Sequence, residues 1–114
     1  MDKDIFCKII KGEVSSDVVW QDDDFLVIKD INPQAPVHVL IIPKRHISDL
    51  KELKSSAALL GKAFLVAEHV AEILGVSKTG YRLILNEGDH AGRVVPHLHI
   101  HLLGGKDLGA KIVS

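Results

Sequence analysis

Apolar and polar positions follow one another in short blocks, and each block predicts an element. Ile5, Phe6, Ile9 and Ile10 fall at helical spacing and Gly12 follows as a stop, so the chain is expected to open with a short helix. Val18-Val19-Trp20 and Phe25-Leu26-Val27-Ile28 predict two strands, and Gln21-Asp22-Asp23-Asp24 between them has the composition of a hairpin turn. The three aspartates read as a solvated turn rather than a metal site, because nothing else acidic lies nearby at ligand spacing. Asp30-Ile31-Asn32-Pro33-Gln34-Ala35-Pro36 is a loop punctuated by two prolines. Residues 37–42 are apolar except for His38 and predict a strand covered on both faces, ending at Pro43.

Ser55 or Ser56 is placed to cap a long helix that ends near Leu74-Gly75. Its apolar residues arrive as neighbouring pairs: Leu59/Leu60, Ala63/Phe64, Val66/Ala67, Val70/Ala71 and Ile73/Leu74. That stripe is wider than a helix needs to sit on a sheet, so a second partner, another subunit, is expected. Residues 81–85 predict a fourth strand, 86–92 a polar loop with glycines, and 97–103 a fifth strand stopped by Gly104-Gly105. The sum is an α+β fold, a single domain over residues 1–114. It has a five-stranded, mainly antiparallel sheet, one short helix and one long one.

Composition narrows the function more than the fold. Fourteen Lys+Arg against 15 Asp+Glu in 114 residues leave a formal net charge of −1. There is thus no electrostatic case for nucleic acid or an anionic membrane as partner. No apolar run approaches the length of a spanning helix, and Met1-Asp2-Lys3-Asp4 is charged at once, unlike a signal peptide. One cysteine suits a reducing compartment, so a cytoplasmic location is expected. Seven histidines are what changes the picture. His97, His99 and His101 alternate with Leu98, Ile100 and Leu102; on a strand the imidazoles share one face, about 6–7 Å apart, and the apolar residues share the other. Such an array serves either metal binding through neutral imidazoles or covalent catalysis by one histidine held by its neighbours. Spacing alone leaves both open.

The run His97-Leu98-His99-Ile100-His101-Leu102-Leu103 resembles the signature of the histidine triad family. Asp30-Ile31-Asn32-Pro33-Gln34-Ala35-Pro36-Val37-His38, Ile42-Pro43-Lys44-Arg45-His46-Ile47, Asn86-Glu87-Gly88 with Gly92, and Gly104-Gly105 resemble its purine-nucleotide-binding, Hint-like branch. The resemblance implies the histidine triad fold and a hydrolase or nucleotidyl transferase acting on the α-phosphate of purine nucleoside 5′-phosphoramidates or related nucleotides. It implies His99 as the nucleophile that becomes nucleotidylated. His97 would help to orient it, His101 would contact the phosphate and bridging atom, and His38 would support the triad from a neighbouring strand. The phosphate loop falls on Gly92, Arg93 and Val94, a phosphate-side hydrogen bond on Asn86 and the ribose carboxylate on Asp30. Ile5, Phe6, Ile9, Ile28, Ile31 and Leu40 become the apolar wall around the purine.

Three departures from the family pattern stand out. The phosphate loop often reads Gly-Gln-Ser or a variant, whereas Gly92 is followed here by Arg93 and Val94. Val94 has no hydroxyl to offer a leaving amine, which leaves leaving-group activation, and substrate preference with it, open; Arg93 is either a further phosphate contact or a solvated arginine. The tail, residues 108–114, lacks the bulky aromatic that in some relatives reaches a partner subunit's site, which again points to altered selectivity. Some members also hold a structural zinc with Cys-x-x-Cys and two histidines. Cys7, His46 and His97 match three of those positions and Asp4 stands at the fourth, so the expectation is a lost site and no cofactor. The expected partners are a purine nucleotide and a second copy of the chain, in a homodimer. The alternatives are a dinucleoside polyphosphate hydrolase, metal-dependent chemistry at the triad, and a nucleotide-binding module with vestigial catalysis.

Overall fold

In the computed structural model, which describes residues 4–110, one five-stranded sheet organises the chain. Helix α1 (Ile5–Ile10) leads into strands β1 (Val18–Gln21), β2 (Phe25–Lys29) and β3 (Val37–Pro43). Helix α2 (Ala57–Ile73), β4 (Tyr81–Ile84) and β5 (Ile100–Gly104) complete it. The spatial order is β1-β2-β3-β5-β4, and each neighbouring pair is antiparallel. Short 3-10 turns at Leu50–Leu53 and Asp89–Ala91 were not foreseen. With three or four residues each and at most one of them buried, they carry no readable periodicity.

The period-2 pattern of the central strands sorts the core into two layers. Phe25 and Val27 of β2, Val39 and Ile41 of β3, and Ile100 and Leu102 of β5 pack with Ala63, Val66, Ala67, Val70 and Ala71 of α2. Leu26, Ile28, Leu40 and Ile42 face the other way and meet Phe6 of α1. Helix α1 has only six residues and covers only part of that second face; the rest is where His99 and His101 border a cavity. Small residues on the inner side of α2 let the helix lie close to the sheet. Phe64, Leu65 and Ile73 remain exposed on its outer side.

The aspartate turn is a turn, held by the Oδ1 of Asp22 accepting from the backbone N–H groups of Asp24 and Phe25. Lys62 of α2 reaches it with ion pairs to Asp22 (3.0 Å) and Asp24 (2.7 Å), clipping the hairpin to the helix. Ser56 occupies the N-cap of α2, but its side chain makes no capping hydrogen bond. The last strand starts later than expected, at Ile100 rather than His97. Continuing the β3–β5 ladder past Ile41↔Ile100 would bring Pro43 opposite, and proline has no N–H to donate. The N–H of Leu98 bonds Ile47 O instead. The C-terminal tail beyond residue 110 lies outside the described residues, as do Met1-Asp2-Lys3.

Candidate active site

The part of the sheet face not covered by α1 bounds a cavity of about 470 Å³. Phe6, Ile9, Ile28 and Leu40 supply its apolar wall; Asp30, Asn86, Gly92, Arg93, His99 and His101 bring the polar groups. Every residue that the family resemblance assigned to nucleotide binding therefore borders one cavity. Ile31 and Val94 border it too, but they are 100% and 89% exposed and form its rim rather than a packed wall. Ile5, Lys29, Asn32 and Val95 also line it; of these Lys29 and Val95 lie outside the motifs, and Asn32 is in one without an assigned role.

His99 is buried to 9% exposure, with the Phe6 ring edge-on at 4.9 Å and the His101 ring at 5.1 Å. Its Nδ1 lies 2.7 Å from the backbone oxygen of His97. A carbonyl only accepts, so Nδ1 must carry the proton, and in the neutral ring Nε2 keeps its lone pair. Burial pushes the His99 pKa below its ordinary value. The charges of His97 and Arg93 push the same way, against the hydrogen bond to the His97 carbonyl and the charge of Asp30.

A second chain of bonds sets the tautomer of His101. The Gln34 N–H donates to His38 Nδ1 (3.0 Å), so neutral His38 is protonated at Nε2. That atom lies 2.9 Å from His101 Nδ1 and 3.3 Å from Asp30 Oδ2. Accepting there leaves His101 with its proton on Nε2, as a donor. Burial, reinforced by the charges of His99 and His38, pushes its pKa down to about 4. Sheet register makes the pair: His38 stands opposite Leu103 and His101 opposite Leu40, one step apart on the same face. Asp30, His38 and His101 cluster closely enough to suggest a metal site. The Gln34 N–H argues for a proton relay instead, because a ligand needs a lone pair at His38 Nε2.

His97 departs from expectation. Its ring does not line the cavity; it is fully buried beneath α1, with Phe6 at 5.8 Å and His46 at 4.8 Å between ring centroids. Its link to His99 runs through the main-chain oxygen, because residue 97 precedes the regular strand and its side chain turns toward Asp4 and Cys7.

Asp4, Cys7, His46 and His97 bring their ligand atoms together. Cys7 Sγ lies 3.3 Å from His46 Nδ1 and 3.5 Å from both His97 Nδ1 and Asp4 Oδ2. Asp4 Oδ2 lies 3.2 Å from His46 Nδ1 and 3.3 Å from His97 Nδ1. Tetrahedral zinc, with bonds of roughly 2.0–2.3 Å, separates neighbouring ligand atoms by about 3.3–3.8 Å. The four residues fit that ion. The outward nitrogens are anchored as a metal site requires, His97 Nε2 on Pro43 O and His46 Nε2 beside Ser48 Oγ, both at 3.0 Å. Asp4 keeps a second role, its Oδ1 capping α1 through the Cys7 N–H at 2.8 Å. Burial pushes the Asp4 pKa up, but the Cys7 N–H and the His97 charge outweigh it and hold the carboxyl below its ordinary value.

Comparison with known proteins shows the family. A family model described as the HIT domain matches residues 11–108. The purine nucleoside phosphoramidase of Escherichia coli is 46% identical over 106 residues, covering 92% of this chain and 89% of that protein. A HIT family hydrolase from Clostridium thermocellum superimposes with a TM-score of 0.95 at 53% identity, covering 99% of each chain. One from Legionella pneumophila gives 0.90 at 41%, covering 94% of this chain and 96% of that one. The chain belongs to the histidine triad family. Its place there is among the hydrolases.

Proposed function

We propose that the protein hydrolyses purine nucleoside 5′-phosphoramidates through a nucleotidyl-histidine on His99. The observation that carries this reading is the 2.7 Å contact from His99 Nδ1 to the His97 carbonyl. It puts the lone pair on Nε2, while burial keeps the ring neutral. In the reaction Nε2 attacks the α-phosphorus and the P–N bond breaks. The amine leaves with that electron pair and takes up a proton. Water then attacks the same phosphorus, and the P–Nε2 pair returns to His99. The net reaction consumes one water and yields the amine and the nucleoside monophosphate.

In this reading the His101 Nε2–H donates to a phosphate oxygen or the bridging atom, and backbone N–H groups near Gly92 meet charge developing on phosphorus. Gly92 has a φ of +78°, a conformation that glycine adopts without strain. Asn86, whose amide donates to Ala91 O (2.8 Å), holds the loop and presents its other face to the phosphate. Asp30 takes the ribose hydroxyls; its Oδ1 already accepts from the Asn32 N–H. Phe6, Ile9, Ile28 and Leu40 take the purine face. Asp4, Cys7, His46 and His97 would hold zinc in a structural role, tying α1 to the segment that carries the nucleophile. The reading includes a homodimer, supported by the exposed Phe64, Leu65 and Ile73, and a cytoplasmic site of action, supported by the single cysteine. No helix among the described residues is long and apolar enough to cross a membrane.

The test is AMP release from adenosine 5′-phosphoramidate, comparing wild type with His99→Ala. Turnover by wild type, abolished in the variant while AMP still binds, is the expected result. Equal turnover by both excludes His99 as nucleophile. AMP binding without wild-type turnover favours the binding module, or the dinucleoside polyphosphate reading if such a substrate is cleaved.

A further inference from the structure

Arg93 occupies an unusual position for a charged side chain. It is half-buried, borders the cavity with His99 and His101, and donates from Nη1 to the backbone oxygen of Ser48 at 2.6 Å. That bond uses one of the five N–H donors of a guanidinium. Among the described residues no carboxylate pairs with it; the acidic groups with ion pairs are Asp4, Asp22, Asp24 and Asp30. A cation held in place at a ligand cavity without a protein counter-charge is disposed to meet an anion from the ligand.

The geometry of the reaction indicates which part of the ligand that is. His99 lies on the cavity floor, at 9% exposure, and Val94 stands at the rim, at 89%. An in-line displacement carries the leaving group away from the nucleophile toward the rim; the Ile31 side of that rim adjoins Asp30, given to the ribose, which leaves the segment Gly92-Arg93-Val94 beside the leaving group. Lys29, the other permanently charged cation lining the cavity, is at the end of β2 beside Asp30, on the side given to the ribose. Residue 94 has no proton to offer there, whereas residue 93 presents a fixed positive charge.

We infer that Arg93 selects substrates whose leaving group carries its own negative charge, so that this site prefers nucleoside 5′-phosphoramidates of acid-bearing amines over those of neutral ones. The inference rests on the proposed His99 chemistry and adds the chemical class of the leaving group. The guanidinium pairs with a carboxylate or similar anion beyond the scissile bond; its charge also acts on His99, but equally for both kinds of substrate, so that effect cancels in the ratio.

The test uses two adenosine 5′-phosphoramidates that differ in one group. One is formed on the amine of alanine with its carboxylate free, the other on alaninamide. Both have a P–N bond to the same carbon skeleton, and kcat/KM is measured for each. Wild type is expected to favour the carboxylate by roughly five- to tenfold, the worth of about 1–1.4 kcal/mol for a partly exposed charge pair. Arg93→Gln is expected to bring the ratio close to one. Arg93→Lys, which keeps the charge, should hold an intermediate ratio and guards against a mere loss of the Ser48 anchor. A wild-type ratio near one, or a ratio that survives Arg93→Gln, overturns the inference. A ratio equally lost in both variants overturns charge as its cause. If neither compound nor unsubstituted adenosine 5′-phosphoramidate is turned over, the underlying catalytic reading fails, and the inference with it.

Discussion

Replacing Phe6 with alanine tests how the short helix and the nucleophile depend on each other. Helix α1 is six residues long and buries only Phe6 and Cys7. A helix that short has no stability of its own in water, so its docking depends on those two side chains. Phe6 is 6% exposed and fills the space between α1, Leu26, Ile28, Leu40 and Ile42. Truncating such a ring costs about 3–5 kcal/mol. Undocking of α1 relieves part of that, so a loss near ~3 kcal/mol is expected in chemical denaturation. The same ring is edge-on to His99 at 4.9 Å and contributes to the burial that lowers its pKa. Removing it admits water, and the His99 pKa should climb back toward the ordinary value of about 6.5. The variant should therefore be less stable at every pH, and the acid limb of its kcat/KM profile for adenosine 5′-phosphoramidate should move upward in pH. An acid limb that coincides with wild type, in a variant shown to have lost stability, would refute the claim that α1 tunes the nucleophile through desolvation.

Three further outcomes are expected. Wild-type activity should hold as pH falls to about 6.5 and decline only below it, because the neutral forms of His99 and His101 persist to lower pH than in a free histidine. Stability has the same sign: the folded state binds fewer protons than the unfolded chain, so this contribution is full above about 6.5 and is lost as pH falls through about 4. A rate already halved at pH 7.5 would contradict this. Purified protein should contain close to one zinc per chain by elemental analysis, and chelation should lower its melting temperature, with Asp4→Ala binding zinc at least tenfold more weakly. Metal-free protein that melts at the same temperature would return the cluster to a hydrogen-bonded network. Light scattering at micromolar concentration should give the mass of a dimer, and a stable monomer would refute the second partner for α2.

The apolar runs 25–28 and 37–42 and the alternation in 97–103 were enough to predict these strands, though not where the last one starts. The reason is local: a strand exposes its side chains with period 2, and a sheet buried on both faces leaves few positions for anything polar. His38 and His101 stood out for that reason, as polar residues in apolar strands. Family resemblance then gathered Asp30, Asn86, Gly92 and Arg93, residues that no spacing rule connects, and the fold brings all of them to one cavity.

The amino-acid sequence by itself determined that there would be an antiparallel sheet, a long helix behind it and a row of histidines leading into the last strand, of which only His101 lies within it. Tertiary structure decided what those histidines can do. Tautomers depend on what faces each ring nitrogen: the His97 carbonyl for His99, and the Gln34 N–H acting through His38 for His101. These partners come from main-chain atoms and other strands, so no side-chain pattern encodes them. The same holds for Asp4, Cys7, His46 and His97, which look like a depleted zinc motif along the chain and bring their ligand atoms within 4.8 Å of one another in space. Sequence spacing shows which ligand types are present. Only folding over separations of up to 93 residues sets the distances between their atoms, and those distances govern both proton transfer and metal binding.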